Sequence, residues 1–359
     1  MRMSGQGSEV DSIVGPGSVK QQFARRRLIM RIRTTFAALS VLLLTGGNVW
    51  AASAFSSLYT FGDSLSDAGD SPSAVMSIYK ILNNNCDPLH FCPPYDDGRL
   101  SNGPVASEYL AESLFPGSVT TSNFRSYAVG GATSGIGNSG DIGGSATDKG
   151  DLGLPGMKQE VDRYISDSGG SADPNGLYLV WGGANDYLTH DSPVSAAQNI
   201  GSYVNMLAAA GARHILVPNL PDLGHTPLAR AEGVEAEARD YTIVFNNELA
   251  TQLGNTDSSF PTTDIFRFDT YSFVNNIIQN PGDYMLPNVT GPCISLPFDV
   301  SCGNPDGHLY WDDVHPTTRA HAILGGAFAS AVPEPRIAVM FIGGLFVLGM
   351  AVYRRRTLM

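Results

Sequence analysis

The chain has 359 residues, of which 43% are hydrophobic and 16% are charged, and its formal net charge is −12. This length and composition allow one large domain or two small ones, and they exclude a disordered chain or a coiled coil. The negative charge, with no basic patch interleaved with aromatic residues, argues against a nucleic-acid partner. The four cysteines form no metal cluster of the CxxC type.

Residues 1–54 have the features of an N-terminal extension followed by a secretory signal peptide. Arginines at positions 25–33 precede an apolar run at 36–44, and small residues follow at 50–54. The apolar run is too short to span a bilayer, and this order of segments is typical of a cleaved signal. Met30 would begin a signal of ordinary length, so we expect the true translation start there. The alternative is a buried N-terminal helix flanked by arginines.

The C-terminal residues 332–359 form a second special segment. Residues 337–353 carry no charge, a Pro-Glu-Pro box precedes them at 333–335, and three arginines follow at 354–356. This predicts a membrane span at 337–353 with its arginines on the cytoplasmic side. The segment resembles the PEP-CTERM sorting signal of Gram-negative bacteria. The resemblance implies export across the inner membrane, cleavage by an exosortase-type protease and transfer to the cell surface; an uncut C-terminal anchor is the alternative.

Without its ends the chain is strongly acidic and contains all four cysteines. Residues 55–335 hold 32 acidic and 11 basic residues, a net charge of −21, which favours a soluble domain repelled by anionic lipid surfaces. For an exported chain, the close spacings of Cys86 with Cys92 and of Cys293 with Cys302 favour two local disulfides. Each bridge would hold a surface loop. Free buried thiols are the alternative.

In chain order, residues 55–331 alternate between short apolar runs and stretches of helical period. We predict strands at 58–61, 127–129, 177–181, 214–217 and 265–268. We predict helices at 105–114, 157–166, 196–210, 229–253 and 317–329. This alternation predicts a single α/β domain, a three-layer α/β/α sandwich around a mostly parallel sheet. Chemistry is expected just beyond the carboxyl ends of the strands.

Four polar clusters follow these strands. Ser64, after a glycine at a strand-to-helix turn, is placed for a nucleophile, although a serine there is more often a helix cap. Gly131 lies in a glycine pair that would let the backbone approach a ligand or simply make a turn. Asn185 could donate to an oxyanion or be a buried structural amide. Asp312 and His315 near the C-terminus have the spacing for a carboxylate that orients a general base.

The four clusters in this order resemble the GDSL, or SGNH, family of serine esterases and lipases. The matching stretches are 61–67, 128–132, 183–186 and 312–316. The resemblance implies the flavodoxin-like SGNH-hydrolase fold and carboxyl-ester hydrolysis without a metal or organic cofactor. It implies Ser64 as nucleophile, His315 as base and Asp312 as orienting carboxylate, with the N–H groups of Ser64 and Gly131 and the side chain of Asn185 as oxyanion donors.

Several choices stay open at this point. Asp313 lies next to Asp312 and spacing alone cannot say which one meets His315, and Gly130 could exchange roles with Gly131. Residues 94–104 also resemble a stretch common in longer, secreted members. The expected substrates are lipids, short acyl esters or acylated polysaccharides, and the expected processing partners are signal peptidase and the exosortase-type protease. An acyltransferase and a non-catalytic surface protein that binds glycan or matrix are the alternative functions.

Overall fold

The structure is a computed structural model, and it describes residues 55–82, 92–295, 299–300 and 302–332. The predicted signal peptide within 1–54, Cys86, the Pro-Glu-Pro box and the predicted span at 337–353 lie outside the described residues. Within the described ranges, no helix combines the length and the apolar character that crossing a membrane requires.

The centre of the fold is a five-stranded parallel sheet with strand order β2-β1-β3-β4-β5. Its strands are β1 (Leu58–Gly62), β2 (Phe124–Ser126), β3 (Leu177–Trp181), β4 (His214–Pro218) and β5 (Asp264–Phe268). The central strand β3 is buried along its whole length, as expected for a parallel strand covered on both faces. All five strands end at the same edge of the sheet, and that edge positions the site described below.

Helices cover both faces of this sheet, which confirms the predicted three-layer α/β/α fold. Tyr178 and Val180 of β3 point into the hydrophobic core on one face, whereas Leu177, Leu179 and Trp181 point into the core on the other face. The alternation follows from the two-residue repeat of a strand.

The first core is covered by α3 (Met157–Asp167), α5 (Pro193–Ala210) and α7 (Glu235–Ser259). The second core is covered by α2 (Ala106–Leu114), α8 (Thr270–Gln279) and α9 (Thr318–Ala331). The remaining helices are short: α1 (Ile78–Ile81), α4 (Asn185–Leu188) and α6 (Pro227–Glu232). Outside the central sheet, β6 (Asn288–Pro292) pairs with β9 (His308–Tyr310), and β7 (Ile294–Ser295) pairs with β8 (Asp299–Val300).

Two predicted elements differ from the structure. The strand expected at 127–129 lies three residues earlier in the structure, where it forms β2. Tyr127 and Val129 still donate backbone hydrogen bonds to β1, at 2.8 and 3.1 Å. The helix expected at 229–253 is broken into α6 and α7, because Gly233 ends α6 with a left-handed backbone, φ +69°. Gly233 thereby redirects the chain beside the site.

Candidate active site

The turn after β1 carries Ser64 to the edge of the sheet. Gly62 ends the strand with φ +151°, and a Cβ there would lie 2.0 Å from the backbone oxygen of Trp181 on β3. Only glycine fits this close approach. The N–H groups of Ser66 and Asp67 both donate to the carbonyl of Asp63, which closes a tight turn around Ser64. Among the described residues the Ser64 N–H has no hydrogen-bond partner.

Ser64, His315 and Asp312 form a continuous chain of hydrogen bonds. The distance from Ser64 Oγ to His315 Nε2 is 2.9 Å, and His315 Nδ1 lies 2.7 Å from Asp312 Oδ2. With Nδ1 donating to the carboxylate, Nε2 is left to accept the serine proton. The neighbouring Asp313 does not meet the imidazole; its backbone carbonyl accepts a bond of 2.9 Å from the N–H of Leu228. Of the two adjacent carboxylates, Asp312 is therefore the one that is hydrogen-bonded to the His315 imidazole.

The charges in this chain of hydrogen bonds favour an ionised Asp312 beside a basic His315. Burial alone would raise the pKa of Asp312, but the charge and hydrogen bond of His315 and the backbone N–H donors lower it to about 2. Burial works against a charged His315, yet the nearby Asp312, with a smaller contribution from Asp63, raises its pKa above the ordinary value. The imidazole is therefore a stronger base than a free histidine.

Three further carboxyl groups lie buried around the turn that carries Ser64. Burial is the main cause that raises the pKa of Asp63 to about 6 and that of Asp67 to about 7, and it raises the pKa of Glu160 well above its usual value. Glu160 Oε2 accepts the Gly62 N–H at 2.8 Å, and Asp67 Oδ2 accepts the Gly130 N–H at 2.8 Å. Asp63 Oδ1 accepts the Leu65 N–H at 3.1 Å, so Glu160 and Asp63 hold the backbone before and after Ser64, while Asp67 holds the glycine pair after β2.

The backbone N–H groups of Gly130 and Gly131, which follow β2, differ in their hydrogen bonding. Because its N–H is bound to Asp67, Gly130 has no free donor for a ligand. The N–H of Gly131 has no hydrogen-bond partner among the described residues. Gly131 has φ +78°, and a Cβ there would lie 2.3 Å from Asn138 Oδ1. The geometry therefore favours Gly131 over Gly130 as a donor to a substrate oxygen.

The side chain of Asn185 is fixed by two hydrogen bonds. Its Nδ2 donates to the carbonyl of Ala132 at 3.0 Å, and its Oδ1 accepts from Ser139 Oγ at 3.1 Å. Ser139 Oγ also lies 3.1 Å from the carbonyl of Gly131, which accepts the Ser139 backbone N–H at 2.8 Å. The amide keeps a second Nδ2 hydrogen that these bonds do not use. Ser139 therefore links the two candidate oxyanion donors, Gly131 and Asn185.

An apolar cavity with a volume of about 110 Å³ lies beside these groups. Ser64, Asn185 and His315 line it, while Gly131 is not one of its lining residues. Most of its wall is apolar and comes from the turn after Ser64, α4, the segment around α6 and the His315 loop. Representative wall residues are Leu65, Tyr187, Leu188, Leu223, Val234 and Val314. The arrangement can hold an apolar group against a reactive hydroxyl.

The cysteine pair nearer the C-terminus lies directly beside the site. Cys293 and Cys302 are joined by a disulfide, and Cys293 is fully buried. The bridge packs with Tyr95 and Trp311, so it supports the segment that carries Asp312 and does not merely hold a surface loop. With His308 the same two cysteines make the group of potential metal ligands found in the described part of the chain. Since the sulfurs are bonded to each other, they present no thiolate ligands.

Three residues that support the site were not identified from the sequence. Glu160 could have been found, because it is an acid on the apolar face of the predicted helix that also presents Met157 and Val161. Tyr95, which donates to Asp312 at 2.7 Å, lies in the stretch 94–104, but 217 residues separate the two positions. Ser139 has no local pattern that distinguishes it from other loop serines.

One known protein family matches most of this chain. Residues 58–328 match the family model of the GDSL-like lipases and acylhydrolases. The chain is 29% identical to a phosphatidylcholine-sterol acyltransferase of Aeromonas hydrophila, covering 78% of this chain and 90% of that protein. It is 26% identical to a GDSL esterase/lipase of Arabidopsis thaliana, covering 74% and 86% of the two chains.

The chain is 28% identical to esterase EstA of Pseudomonas aeruginosa. The match covers 85% of this chain but only about half (51%) of that protein. Among solved structures, a carbohydrate acetylesterase from Sinorhizobium meliloti is similar, with 18% identity, a TM-score of 0.40 and coverage of 79% of this chain and 99% of that one. The family match spans well over half of the sequence. The chain therefore belongs to the GDSL-like lipase/acylhydrolase family and is an ester hydrolase.

Proposed function

We propose that the protein cleaves carboxyl esters of apolar acyl groups through an acyl-enzyme formed on Ser64. The observation that carries this proposal is the hydrogen-bonded chain Ser64–His315–Asp312, whose serine faces an apolar cavity. Such a chain supplies an activated nucleophile and its base in one place.

The reaction proceeds in two halves. Ser64 Oγ attacks the ester carbonyl carbon while its proton moves to His315 Nε2, and the carbonyl oxygen becomes an oxyanion. The N–H groups of Ser64 and Gly131 and the amide of Asn185 stabilise that charge. The C–O bond to the alcohol then breaks, and His315 returns the proton to the departing oxygen. Water attacks the acyl-enzyme with His315 again as base, which releases the acid and restores Ser64.

The apolar cavity and the negative charge of the domain limit which esters we expect as substrates. An apolar wall stabilises an acyl chain by removing it from water, so we expect butyrate and longer esters to be better substrates than acetates. The net charge of −21 over residues 55–335 disfavours anionic lipid surfaces. Neutral lipids, short acyl esters and acylated polysaccharides remain the substrate classes to be screened.

A fluorophosphonate probe tests the reactive serine. The probe is incubated with the full wild-type chain and with the variants Ser64→Ala and His315→Ala, and the products are analysed by mass spectrometry. The control is Ser113→Ala, which changes an exposed serine on α2. We expect labelling in the wild type and Ser113→Ala only, with the adduct on Ser64. A folded wild-type protein that is not labelled would overturn the proposal and favour a non-catalytic surface protein that binds glycan or matrix.

Acyl transfer to an alcohol is a second candidate, favoured by the similarity to a protein named phosphatidylcholine-sterol acyltransferase. The two reactions share the acyl-enzyme and differ only in whether water or an alcohol attacks it. Hydrolysis of p-nitrophenyl butyrate is therefore measured with increasing concentrations of an apolar alcohol. Formation of the new ester at the expense of butyric acid would favour the transferase, whereas unchanged acid release would favour the hydrolase.

We also propose that the protein is exported and sorted to the cell surface. The support is the order of arginines, apolar run and small residues within 1–54, the Pro-Glu-Pro segment at 332–359, and the disulfide Cys293–Cys302, which suits an oxidising compartment. Signal peptidase and an exosortase-type protease would process the two ends. Mass spectrometry of the termini in a Gram-negative host tests this; an uncut C-terminus in the membrane fraction would favour a permanent anchor.

A further inference from the structure

Tyr95 contacts the carboxylate that orients the catalytic histidine. Its hydroxyl donates a hydrogen bond of 2.7 Å to Asp312 Oδ2, the same oxygen that lies 2.7 Å from His315 Nδ1. Tyr95 is only 3% exposed. Burial, with the charge of Asp312, raises the pKa of Tyr95, so the hydroxyl stays protonated and acts as a donor.

The two oxygens of Asp312 are held by different kinds of donor. Oδ1 accepts the backbone N–H groups of Val314 and His315 at 2.9 and 2.7 Å. Those donors belong to the same loop and move with the carboxylate. Oδ2 accepts hydrogen bonds from the Tyr95 hydroxyl and from the Nδ1–H of the His315 imidazole. Tyr95 comes from a distant part of the chain. Tyr95 is therefore the contact that fixes the rotation of the carboxyl group relative to the rest of the fold.

A small hydrophobic cluster fixes Tyr95 in turn. Buried Tyr95, Cys293, Ile294 and Trp311 form this cluster, and Cys92 and Cys302 pack against it. The rings of Tyr95 and Trp311 meet edge to face at 6.4 Å. Ile294 donates its N–H to the carbonyl of Trp311 at 2.8 Å, and Trp311 immediately precedes Asp312. The disulfide-linked segment and Tyr95 thus both pack with Trp311, the residue next to Asp312.

We propose that Tyr95 is a positioning residue that keeps the Asp312 carboxylate turned toward His315, with the aromatic and disulfide cluster as its support. This inference rests on the proposed reaction at Ser64. A buried carboxylate that loses one donor is less well solvated and freer to rotate. The imidazole is then less well oriented during proton transfer, which lowers the rate of the chemical steps and leaves acyl-group binding unchanged.

The test is Tyr95→Phe, which keeps the ring in the cluster and removes the hydroxyl. With p-nitrophenyl butyrate we expect kcat to fall by about tenfold and KM to stay within about twofold. The matched control is Tyr109→Phe, which removes a hydroxyl that bonds to Thr318 Oγ1 at 2.8 Å, away from Asp312. This control should keep the wild-type kcat. An unchanged kcat in folded Tyr95→Phe would overturn the inference.

A double-mutant cycle separates positioning of Asp312 from a general structural role. If Tyr95 acts through Asp312, Tyr95→Phe lowers kcat in the wild type but causes no further loss in Asp312→Asn. The same tenfold loss in both backgrounds would overturn the inference. The downfield proton resonance of His315 Nδ1–H is a second readout, and it should shift in Tyr95→Phe but not in Tyr109→Phe.

Failure of the inference is distinguishable from failure of the proposed function. If the wild-type protein hydrolyses the ester and the probe labels Ser64, the proposed function stands whatever Tyr95→Phe does. If the folded wild type neither hydrolyses the ester nor reacts with the probe, the proposed function fails, and the role of Tyr95 in catalysis fails with it.

Discussion

The two sides of the active site are held in place by different means. On the oxyanion side, residues 130–156 fold back on themselves so closely that a Cβ at Gly135 would lie 1.8 Å from the carbonyl oxygen of Ala146, and one at Gly131 would lie 2.3 Å from Asn138 Oδ1. On the histidine side, Asp312 accepts the Tyr95 hydroxyl, and its neighbour Trp311 packs in a cluster with the Cys293–Cys302 disulfide.

The difference follows from what each side must position. An oxyanion donor at Gly131 is a backbone N–H, so it is placed by the course of the backbone, and close backbone packing requires glycine. In the proposed reaction His315 and Asp312 act through their side chains, which are oriented by hydrogen bonds and by the packing of other side chains. We therefore expect the closely packed glycines of the oxyanion side, such as Gly131, to tolerate no added Cβ, and we expect the histidine side to be sensitive to the loss of single donors.

The largest effect should come from Asp312→Asn. We expect kcat to fall on the order of 10³- to 10⁴-fold, because an amide cannot stabilise the imidazolium and favours the wrong histidine tautomer. Asp313→Asn is the matched control and should lose little activity, since its side chain does not meet His315. Steady-state kinetics on p-nitrophenyl butyrate decide between them, and an equal loss in both variants would contradict the assignment of Asp312.

The same variant has a predicted pH dependence. His315 must be neutral to act as base, so kcat/KM rises with pH through its pKa, which burial lowers and Asp312 raises more strongly, with Asp63 adding to the rise. Removing the Asp312 charge lowers the pKa of His315 and moves the acidic limb of the profile to lower pH. Profiles of wild type and Asp312→Asn measure the shift; a limb that moves to higher pH would contradict this electrostatic account.

Gly131→Ala keeps the backbone N–H but should displace it, and we expect kcat to fall by about 10²- to 10³-fold, as it typically does when one oxyanion donor is lost. The added Cβ would clash with Asn138 Oδ1, and the φ of +78° at position 131 disfavours alanine. Gly153→Ala provides a matched control, because Gly153 has a similar φ of +69° but no atom within 4 Å of the added Cβ. Kinetics and thermal melting are compared for both variants. Equal activity losses would mean that backbone strain alone explains the effect.

Ser139→Ala should lower kcat by about tenfold, because Asn185 Oδ1 loses its donor and the amide is less well oriented. Thr147→Ala, at an exposed position in the same loop, should have no effect. A boronic-acid inhibitor that mimics the tetrahedral intermediate provides the second readout, and its affinity should fall in parallel with kcat. Unchanged inhibitor affinity would argue that Ser139 does not act on the oxyanion.

The smallest effect should come from Cys302→Ser, which opens the bridge to Cys293 on the histidine side. We expect kcat to fall a few-fold, since Tyr95 and Trp311 keep their contact with each other while the cluster loosens. Wild-type protein treated with a reducing agent should lose at least as much activity, because the reductant also opens the disulfide of Cys92, which packs against the same cluster. Activity that is insensitive to both treatments would show that side-chain packing alone holds Asp312.

The strands could be predicted, and the hydrogen-bonded residues Ser64, Asp312 and His315 could be named as candidates, because their signals are local. The strand at 177–181 coincides with β3, and Ser64, Asp312 and His315 lie in short patterns that follow strand ends. The break at Gly233 was missed because a lone glycine within a helical pattern does not reveal a left-handed conformation. Tyr95 was missed as a partner of Asp312, because a contact across 217 residues leaves no sequence pattern.

The hydrogen bond from the Leu228 N–H to the carbonyl of Asp313 has a consequence for how substrate preference can change. The segment that contains Leu228 also contributes Leu223, Ala229 and Val234 to the cavity wall, but no strand of the sheet. Of the cavity-lining side chains in this segment, Leu228 and Val234 are half-buried and belong to neither core, so they can change with little effect on the fold. The backbone, in contrast, is coupled to the His315 loop. A directed-evolution library that varies Leu228 and Val234 should change chain-length preference without loss of turnover.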